Sequence, residues 1–390
     1  MRRFYKGSDL SRVLSVAEMA ALARYRLPDF AWEYLVGGAE NESTLQSNET
    51  AFSRIRLASK TLIANYKPIT STLLADTPSA LPMMIGPSGY NGMLWTKADV
   101  ELAKAANAKK IPFCLSTVSN CSMEEVREAV PDLDLWFQLY SLKNLEANQD
   151  LLRRAQAVEV STLVITSDAL VVGNREWDRR NFAKPRQLTF ANKFNVLCHP
   201  NWLRRVMLPN GLPTMGNLDP YLPKGEKSAL GAMKFISEQL DTLLDWDKLA
   251  KIREQWPGKL ILKGVLHPDD AVRAVKLGLD GIVVSNHGGR QLDGALSSIE
   301  ALQIIEPEVR GQISILLDSG IRRGSDIVKA IALGADGVML GRATLFGVAS
   351  GGEVGAYRVL DILEEELVRC FNLMGVQRID ELSSSHVYLP

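Results

Sequence analysis

Eight short runs rich in Val, Ile and Leu, most of them closing on polar residues or glycine, constrain this chain more than any other feature. They are Leu81–Pro87, Ile111–Thr117, Leu133–Tyr140, Thr162–Asp168, Leu260–Gly264, Gly281–His287, Ser314–Gly320 and Gly337–Ala343. Continuous apolar runs are what strands of a parallel sheet need when both faces are covered. Their starts lie 30, 22, 29, 98, 21, 33 and 23 residues apart. Six of these intervals fit a strand plus one crossover helix, and eight such units close into an α/β fold, the (β/α)8 TIM barrel.

The intervening helices are legible. Lys97–Lys109 follows the first run and Met123–Ala129 the second. Pro268–Leu277 opens with a proline and two acids, as a helix N-terminus favours, and Ser325–Leu333 stops before Gly334. The 98-residue interval exceeds a plain βα unit by about 70 residues. This insertion, residues 181–245, holds Pro185, Pro200, Pro209, Pro213, Pro220 and Pro223, so it cannot be one continuous helix. From Arg179 to Leu218 it carries Arg179, Arg180, Lys184, Arg186, Lys193, Arg204 and Arg205 and no acid before Asp219, interleaved with Phe182, Phe190, Phe194 and Trp202. That pattern suits an anionic membrane surface; an active-site flap or a subunit contact is the competing reading. Ahead of the barrel, Leu27–Leu45 has Phe30, Tyr34 and Leu35 at helical spacing up to Gly37-Gly38. Residues 1–80 are therefore expected to cap the mouth of a barrel over 81–374, the whole of 1–390 forming one domain.

Composition removes other classes. Lys and Arg together number 45, as do Asp and Glu, so there is no global basic field for nucleic acid. Cys114, Cys121, Cys198 and Cys370 are scattered, and His199, His267, His287 and His386 show no ligand spacing, so neither a disulfide framework nor a metal site is expected. The first ten residues lack the apolar stretch of a signal peptide, and no apolar run is long enough to span a bilayer. The expected location is the cytoplasm, with peripheral contact at the cytoplasmic face of the membrane as the variant reading.

Barrel active sites form at the C-terminal ends of the strands. Those ends read Pro87-Ser88-Gly89, Ser116-Thr117, Gln138 with Tyr140, Thr166 with Asp168, Lys263, His287, Asp318-Ser319-Gly320 and Gly341-Arg342. A purely structural barrel needs no such polar set in one mouth. The last two loops pair glycines (Gly320, Gly341) with Arg322 and Arg342, a combination that binds phosphate; no Rossmann or P-loop fingerprint occurs. In Ser285-Asn-His-Gly-Gly-Arg-Gln-Leu-Asp293 an imidazole suited to general-base work precedes, by three residues, a guanidinium suited to a carboxylate. Asp168 ends another strand of the same mouth and can hold that imidazole in one tautomer.

The segments SNHGGRQLD and DSGIRRGSDIVKAIALGA, with LPDFAWEYLVGGAENESTL, LWFQLY, LVITSD and LILKG, resemble the FMN-dependent 2-hydroxy acid dehydrogenases and oxidases over nearly the whole chain. Within that family the likeness is strongest to the (S)-mandelate and bacterial L-lactate dehydrogenases. The resemblance implies FMN as cofactor and oxidation of an (S)-2-hydroxy acid to the 2-oxo acid, with electrons passed to a quinone-like acceptor or O₂. It implies His287 as base, supported by Asp168; Arg290, Arg175 and Tyr34 on the substrate carboxylate; and Tyr140 on the C2 hydroxyl. Lys263 would face flavin N1/O2, Ser116, Gln138 and Thr166 its pyrimidine edge, and Pro87, Ser88 and Gly89 its N5 region. Gly320, Arg322, Gly341 and Arg342 would hold the phosphate, with Ser285 and Asp318 completing the cofactor set. A homotetramer is also implied. Gly86 stands where many oxidases have Ala, which leans toward a dehydrogenase, and Val118 stands where glycolate oxidases tend to have Trp. Two alternatives remain open at this level: an FMN-binding barrel without hydroxy acid turnover, and a flavoenzyme maturing a larger peptide-derived cofactor.

Overall fold

The computed structural model describes residues 4–389 apart from 65–66, 185–186, 212–213 and 224–228. Pro185, Arg186 and Pro213 of the insertion, and the first three residues of the N-terminal segment, lie outside the described residues. Eight strands form a closed, wholly parallel barrel. They are β1 (Met83–Ile85), β2 (Phe113–Ser116), β3 (Leu135–Leu139), β4 (Thr162–Thr166), β5 (Lys259–Val265), β6 (Gly281–Val284), β7 (Ser314–Leu317) and β8 (Gly337–Leu340). Each observed strand overlaps one of the eight apolar runs. The barrel closes where Val338–Leu340 pairs in register with Met83–Ile85.

The two-residue period of a strand sorts the interior into layers. One residue from each strand builds the lower layer: Met84, Cys114, Trp136, Val164, Ile261, Val283, Leu316 and Met339. A hairpin of Thr72–Leu74 and Thr77–Ser79 closes the floor beneath it, adding Leu74 and Ala75 to the same cluster. Trp136 is fully buried there, and its truncation to Ala would cost about 3–5 kcal/mol. Two residues further along every strand the next inward positions are Gly86, Ser116, Gln138, Thr166, Lys263, Ser285, Asp318 and Gly341. The layer turns from apolar to polar at the C-terminal mouth.

Helices cover the outside. Met123–Ala129 begins with a reciprocal capping box between Ser122 and Glu125. The helix expected at Lys97–Lys109 spans Ala98–Ala108, and that expected at Ser325–Leu333 spans Gly324–Ala332, because Asp326 accepts from the backbone of Arg322 and Arg323 and draws the start back. The N-terminal segment forms α1 (Val16–Arg26), α2 (Asp29–Val36) and α3 (Ser43–Arg54). α2 stops at Gly37, where its last carbonyls are taken by side chains of the barrel loops, described below.

The insertion is broken, as its prolines require. Between the flanking helices Glu176–Arg180 and Trp246–Gln255 it comprises a hairpin of Phe182–Lys184 with Gln187–Leu188, a helix at Phe190–Leu197, an irregular helical stretch over 200–210, a short turn at Asp219–Tyr221 and a helix at Ala229–Gln239. Its middle folds back on the first two barrel loops. Trp202 Nε1 donates to the Met93 carbonyl at 2.8 Å, and Asn217 Oδ1 accepts from Met123 N at 2.9 Å.

Candidate functional site

The polar layer of the barrel supplies the floor of the site. Ser116 Oγ donates to Gln138 Oε1 at 2.8 Å, while Gln138 Nε2 is buried with no partner. Lys263, only 4% exposed, donates from Nζ to Ser285 Oγ and to Asp318 Oδ2, both at 2.8 Å. Burial alone would push its ammonium down, yet Asp318 and Asp168 outweigh that and hold its pKa above the ordinary lysine value. Lys263 therefore remains a cation inside the barrel.

Above this floor, the loops after β4 and β6 bring their chemistry together. His287 Nδ1 lies 2.9 Å from Asp168 Oδ1, and Nε2 lies 3.5 Å from the Tyr140 hydroxyl. Burial pushes the Asp168 carboxyl up, but the adjacent imidazole and Lys263 override it, so the group sits below its usual value and is ionised. An ionised acceptor at Nδ1 assigns the proton to that nitrogen and leaves Nε2 as the lone pair facing the mouth.

The loop can present His287 this way because its backbone is left-handed: φ is +58° at His287 and +73° at Gly289. A Cβ at Gly289 would stand 2.5 Å from the backbone nitrogen of Leu45 on α3, and one at Gly288 would stand 2.5 Å from the Arg342 guanidinium, so the two glycines are set by different neighbours. Asp293, the acid ending the motif, accepts from Thr44 N at 2.8 Å and so fastens the cap to the loop, far from any role at the imidazole.

Arg290 and Arg342 bind the end of α2. Arg290 donates to the carbonyls of Tyr34 at 2.7 Å and Gly37 at 2.9 Å; Arg342 donates to Leu35 at 3.0 Å, Gly37 at 2.8 Å and Gly288 at 2.8 Å. Cations at a helix C-terminus complement its unpaired carbonyls and dipole. Tyr34, on α2, lies under the Arg290 guanidinium at 4.9 Å and points its hydroxyl at the Gly89 carbonyl at 3.4 Å. Burial raises the pKa of Tyr34 and Tyr140, so both phenols stay protonated donors.

Three partly buried guanidiniums accumulate here. Burial, with Arg290 and Arg322 nearby, pushes Arg342 down to about 9. Arg322 pairs with Glu49 at 2.9 Å, and it too is lowered by burial. Loss of solvent is the main cause of both shifts and outweighs the nearby Glu49, and Gly341 opens onto free space, a Cβ there meeting nothing within 4 Å. A phosphate fits that cradle, and the unpaired Gln138 Nε2 fits an acceptor of a planar ring lying over the floor. The donor set thus suits a phosphorylated flavin.

Of the residues singled out from sequence, the structure gathers His287, Asp168, Tyr140, Tyr34 and Arg290 in one cluster above Ser116, Gln138, Thr166, Lys263, Ser285 and Asp318. Gly89 packs against Val118, and Ser88 accepts from Asn91 at 2.9 Å beside Pro87. Arg175 heads the helix Glu176–Arg180, with NH1 3.7 Å from Asp178. Asp178 itself is a member the motifs did not single out; an acid three residues after an arginine on a short helix reads as an ordinary surface pair. No group of three or more potential metal ligands occurs among the described residues.

Comparison with known proteins agrees with this donor set. The family model for FMN-dependent dehydrogenase matches residues 23–389. The chain is 42% identical to L-lactate dehydrogenases of Yersinia pestis (strain Pestoides F) and Yersinia pseudotuberculosis (serotype O:1b, strain IP 31758) over 93% of its own length and 95% of theirs. Its fold superposes on the crystal structure of a monotopic membrane protein, (S)-mandelate dehydrogenase, with a TM-score of 0.92 and 37% identity, covering 97% of this chain and all of that one. Mandelate oxidase with (S)-4-hydroxymandelic acid superposes with a TM-score of 0.81 at 30% identity, covering 96% and 98% of the two chains. A barrel mouth with a buried lysine, an Asp-supported histidine and arginines on its last two loops thus agrees with the match along the chain: this protein is an oxidoreductase that uses FMN and belongs to the FMN-dependent dehydrogenase family.

Proposed function

We propose that the protein oxidises the C2 hydroxyl of an (S)-2-hydroxy acid of the lactate or mandelate kind to the 2-oxo acid. The observation that carries this reading is the 2.9 Å contact between His287 Nδ1 and Asp168, which aims the basic Nε2 at the space shared with Tyr140. FMN, when bound, supplies the two-electron acceptor. The chain does the rest. Arg290 and Arg175 would grip the carboxylate; Tyr34 and Tyr140 would donate to it and to the C2 oxygen; Nε2 of His287 would take a proton from the substrate. Asp168 would stabilise the imidazolium so formed, and Lys263 would keep positive charge beneath the mouth as negative charge develops there. The L-lactate dehydrogenases and the mandelate enzymes among the relatives support the substrate class.

Residues 1–80, the barrel over 81–374 and the insertion over 181–245 would then work as one catalytic unit. A quinone-like acceptor is favoured over O₂ by Gly86, which stands where many oxidases of this family carry Ala. Anaerobic mixing of the purified flavoprotein with both enantiomers of lactate, mandelate and glycerate tests the substrate assignment. Bleaching by one enantiomer series supports it. No bleaching by any 2-hydroxy acid refutes it and favours a flavin-binding barrel or a larger substrate. Admitting air then separates an acceptor-dependent dehydrogenase from an oxidase.

A second reading concerns location. Phe190, Phe194 and Leu197 recur at i, i+4 and i+7 on the helix Phe190–Leu197 and are 87%, 64% and 67% exposed. A helix that turns its apolar ridge outward and carries Lys193, with Arg204 and Arg205 a few residues further along the chain, suits the interface of an anionic lipid leaflet, the cytoplasmic one by charge. The monotopic membrane character of the (S)-mandelate dehydrogenase supports this. No helix among the described residues is long and apolar enough to cross a membrane, so attachment would be peripheral. Assembly as a homotetramer is checked by light scattering.

A further inference from the structure

We propose that Asp178 is the counter-ion of the substrate clamp: it lowers the net charge of the Arg175–Arg290 pair from two to one, so that a monocarboxylate binds reversibly and the oxidised product leaves. The inference rests on reading Arg175 and Arg290 as that clamp. Asp178 Oδ2 lies 3.7 Å from Arg175 NH1 and 3.9 Å from Arg290 NH2, between the two guanidiniums and within hydrogen-bond distance of neither. Its other oxygen, Oδ1, is buried without a partner. It stands against the cap, where a Cβ at Gly37 would be 3.7 Å from Oδ1.

This arrangement separates an electrostatic role from a mechanical one. Arg290 is anchored through NH1 by the Tyr34 and Gly37 carbonyls, so Asp178 is not what holds it in place. What Asp178 contributes is charge. The charged groups around it are Arg290, Arg175 and Arg342, with Glu42 opposing them, and burial outweighs the guanidiniums so that its carboxyl titrates above the ordinary value. A carboxylate kept under that penalty beside a substrate-binding pair competes with every anion that enters. An incoming monocarboxylate completes neutrality in the presence of Asp178 and leaves a residual positive charge in its absence. Substrate and product are both monocarboxylates, so the penalty weakens both and keeps turnover from stalling on product.

The test uses the FMN-loaded enzyme and unreactive ligands. Benzoate binding is followed by perturbation of the flavin spectrum, with benzamide as the uncharged control. Asp178→Asn keeps the shape and removes the charge: the benzoate Kd is expected to fall about tenfold, with benzamide unchanged. Asp178→Ser should act in the same direction, and Asp178→Glu should restore wild-type binding. In steady state the Asn variant should show a lower KM and stronger inhibition by the 2-oxo acid, with kcat lowered by slow release. Unchanged or weaker benzoate binding in both neutral variants, each retaining its flavin, would overturn the inference. Failure of wild-type flavin to be reduced by any 2-hydroxy acid would instead count against the proposed substrate, because benzoate binding does not depend on turnover.

Discussion

Asp168 and His287 come from loops 119 residues apart in the chain and meet at 2.9 Å. The contact joins the end of β4 to the end of β6, so the imidazole's tautomer is set by a different barrel strand from the one that carries it. Asp168→Asn replaces an acceptor with an amide that can donate to Nδ1, which would reverse the tautomer and deprive Nε2 of its lone pair. Turnover should fall by roughly 10²–10⁴ with flavin retained. Steady-state kinetics with bound FMN quantified checks it.

The same pair predicts an acid limit. The Asp168 carboxyl titrates below its unfolded value, against the opposing effect of burial. Its contribution to stability is thus complete above about pH 4, the ordinary aspartate value, and is lost as pH falls through the lower folded value. Thermal melts of the wild type should drop more steeply than those of Asp168→Asn as pH falls below about 4. Parallel curves would deny the coupling.

The arginine cradle predicts ligand-dependent stability. With Arg342 pushed down to about 9 by burial and by its cationic neighbours, a phosphate should relieve that penalty. FMN should bind much more tightly than riboflavin, which lacks the phosphate, and Arg342→Met should narrow the difference by about 1.5–3 kcal/mol. Fluorescence titration of the apoprotein measures both.

Gly320 offers a test of how the cap docks. Its φ is +88°, and an added methyl group would be driven into the carbonyl of Asn48 on α3. Backbone cannot yield as a flexible side chain can, so Gly320→Ala should destabilise by roughly 3 kcal/mol or more and loosen FMN. Chemical denaturation, with and without the cofactor, reads the two effects separately.

For the membrane reading, replacing Phe190, Phe194 and Leu197 together by Ser should abolish co-sedimentation with vesicles rich in anionic lipid. Activity in detergent should stay within about twofold, because the three side chains are solvent-facing and each contributes apolar area only at a lipid contact.

How much of this was legible in the chain follows from where each interaction keeps its record. The strands were readable because a doubly covered parallel strand must be apolar at every position, and the polar layer because inward residues recur at two-residue intervals above Met84, Trp136 and Ile261. The fastening of α2 by Arg290 and Arg342 was not readable. Its acceptors are the carbonyls of Tyr34, Leu35 and Gly37, and backbone carbonyls carry no residue signature. Arg322 was assigned to phosphate on its loop alone, and its ion pair with Glu49 depends on how α3 packs. Asp178 was passed over because its meaning lies in a second guanidinium 112 residues later in the chain. The prolines did foretell a broken insertion, but not that Trp202 and Asn217 would tie it to the first barrel loops.

The most direct measurement is the anaerobic reductive half-reaction of His287→Gln beside the wild type, followed by stopped-flow absorbance of the bound flavin. The account predicts a folded, yellow variant that binds benzoate yet is bleached by L-lactate or (S)-mandelate, whichever reduces the wild type, at least about 100-fold more slowly. Bleaching at the wild-type rate would remove Nε2 of His287 from the chemistry and contradict the account at its centre.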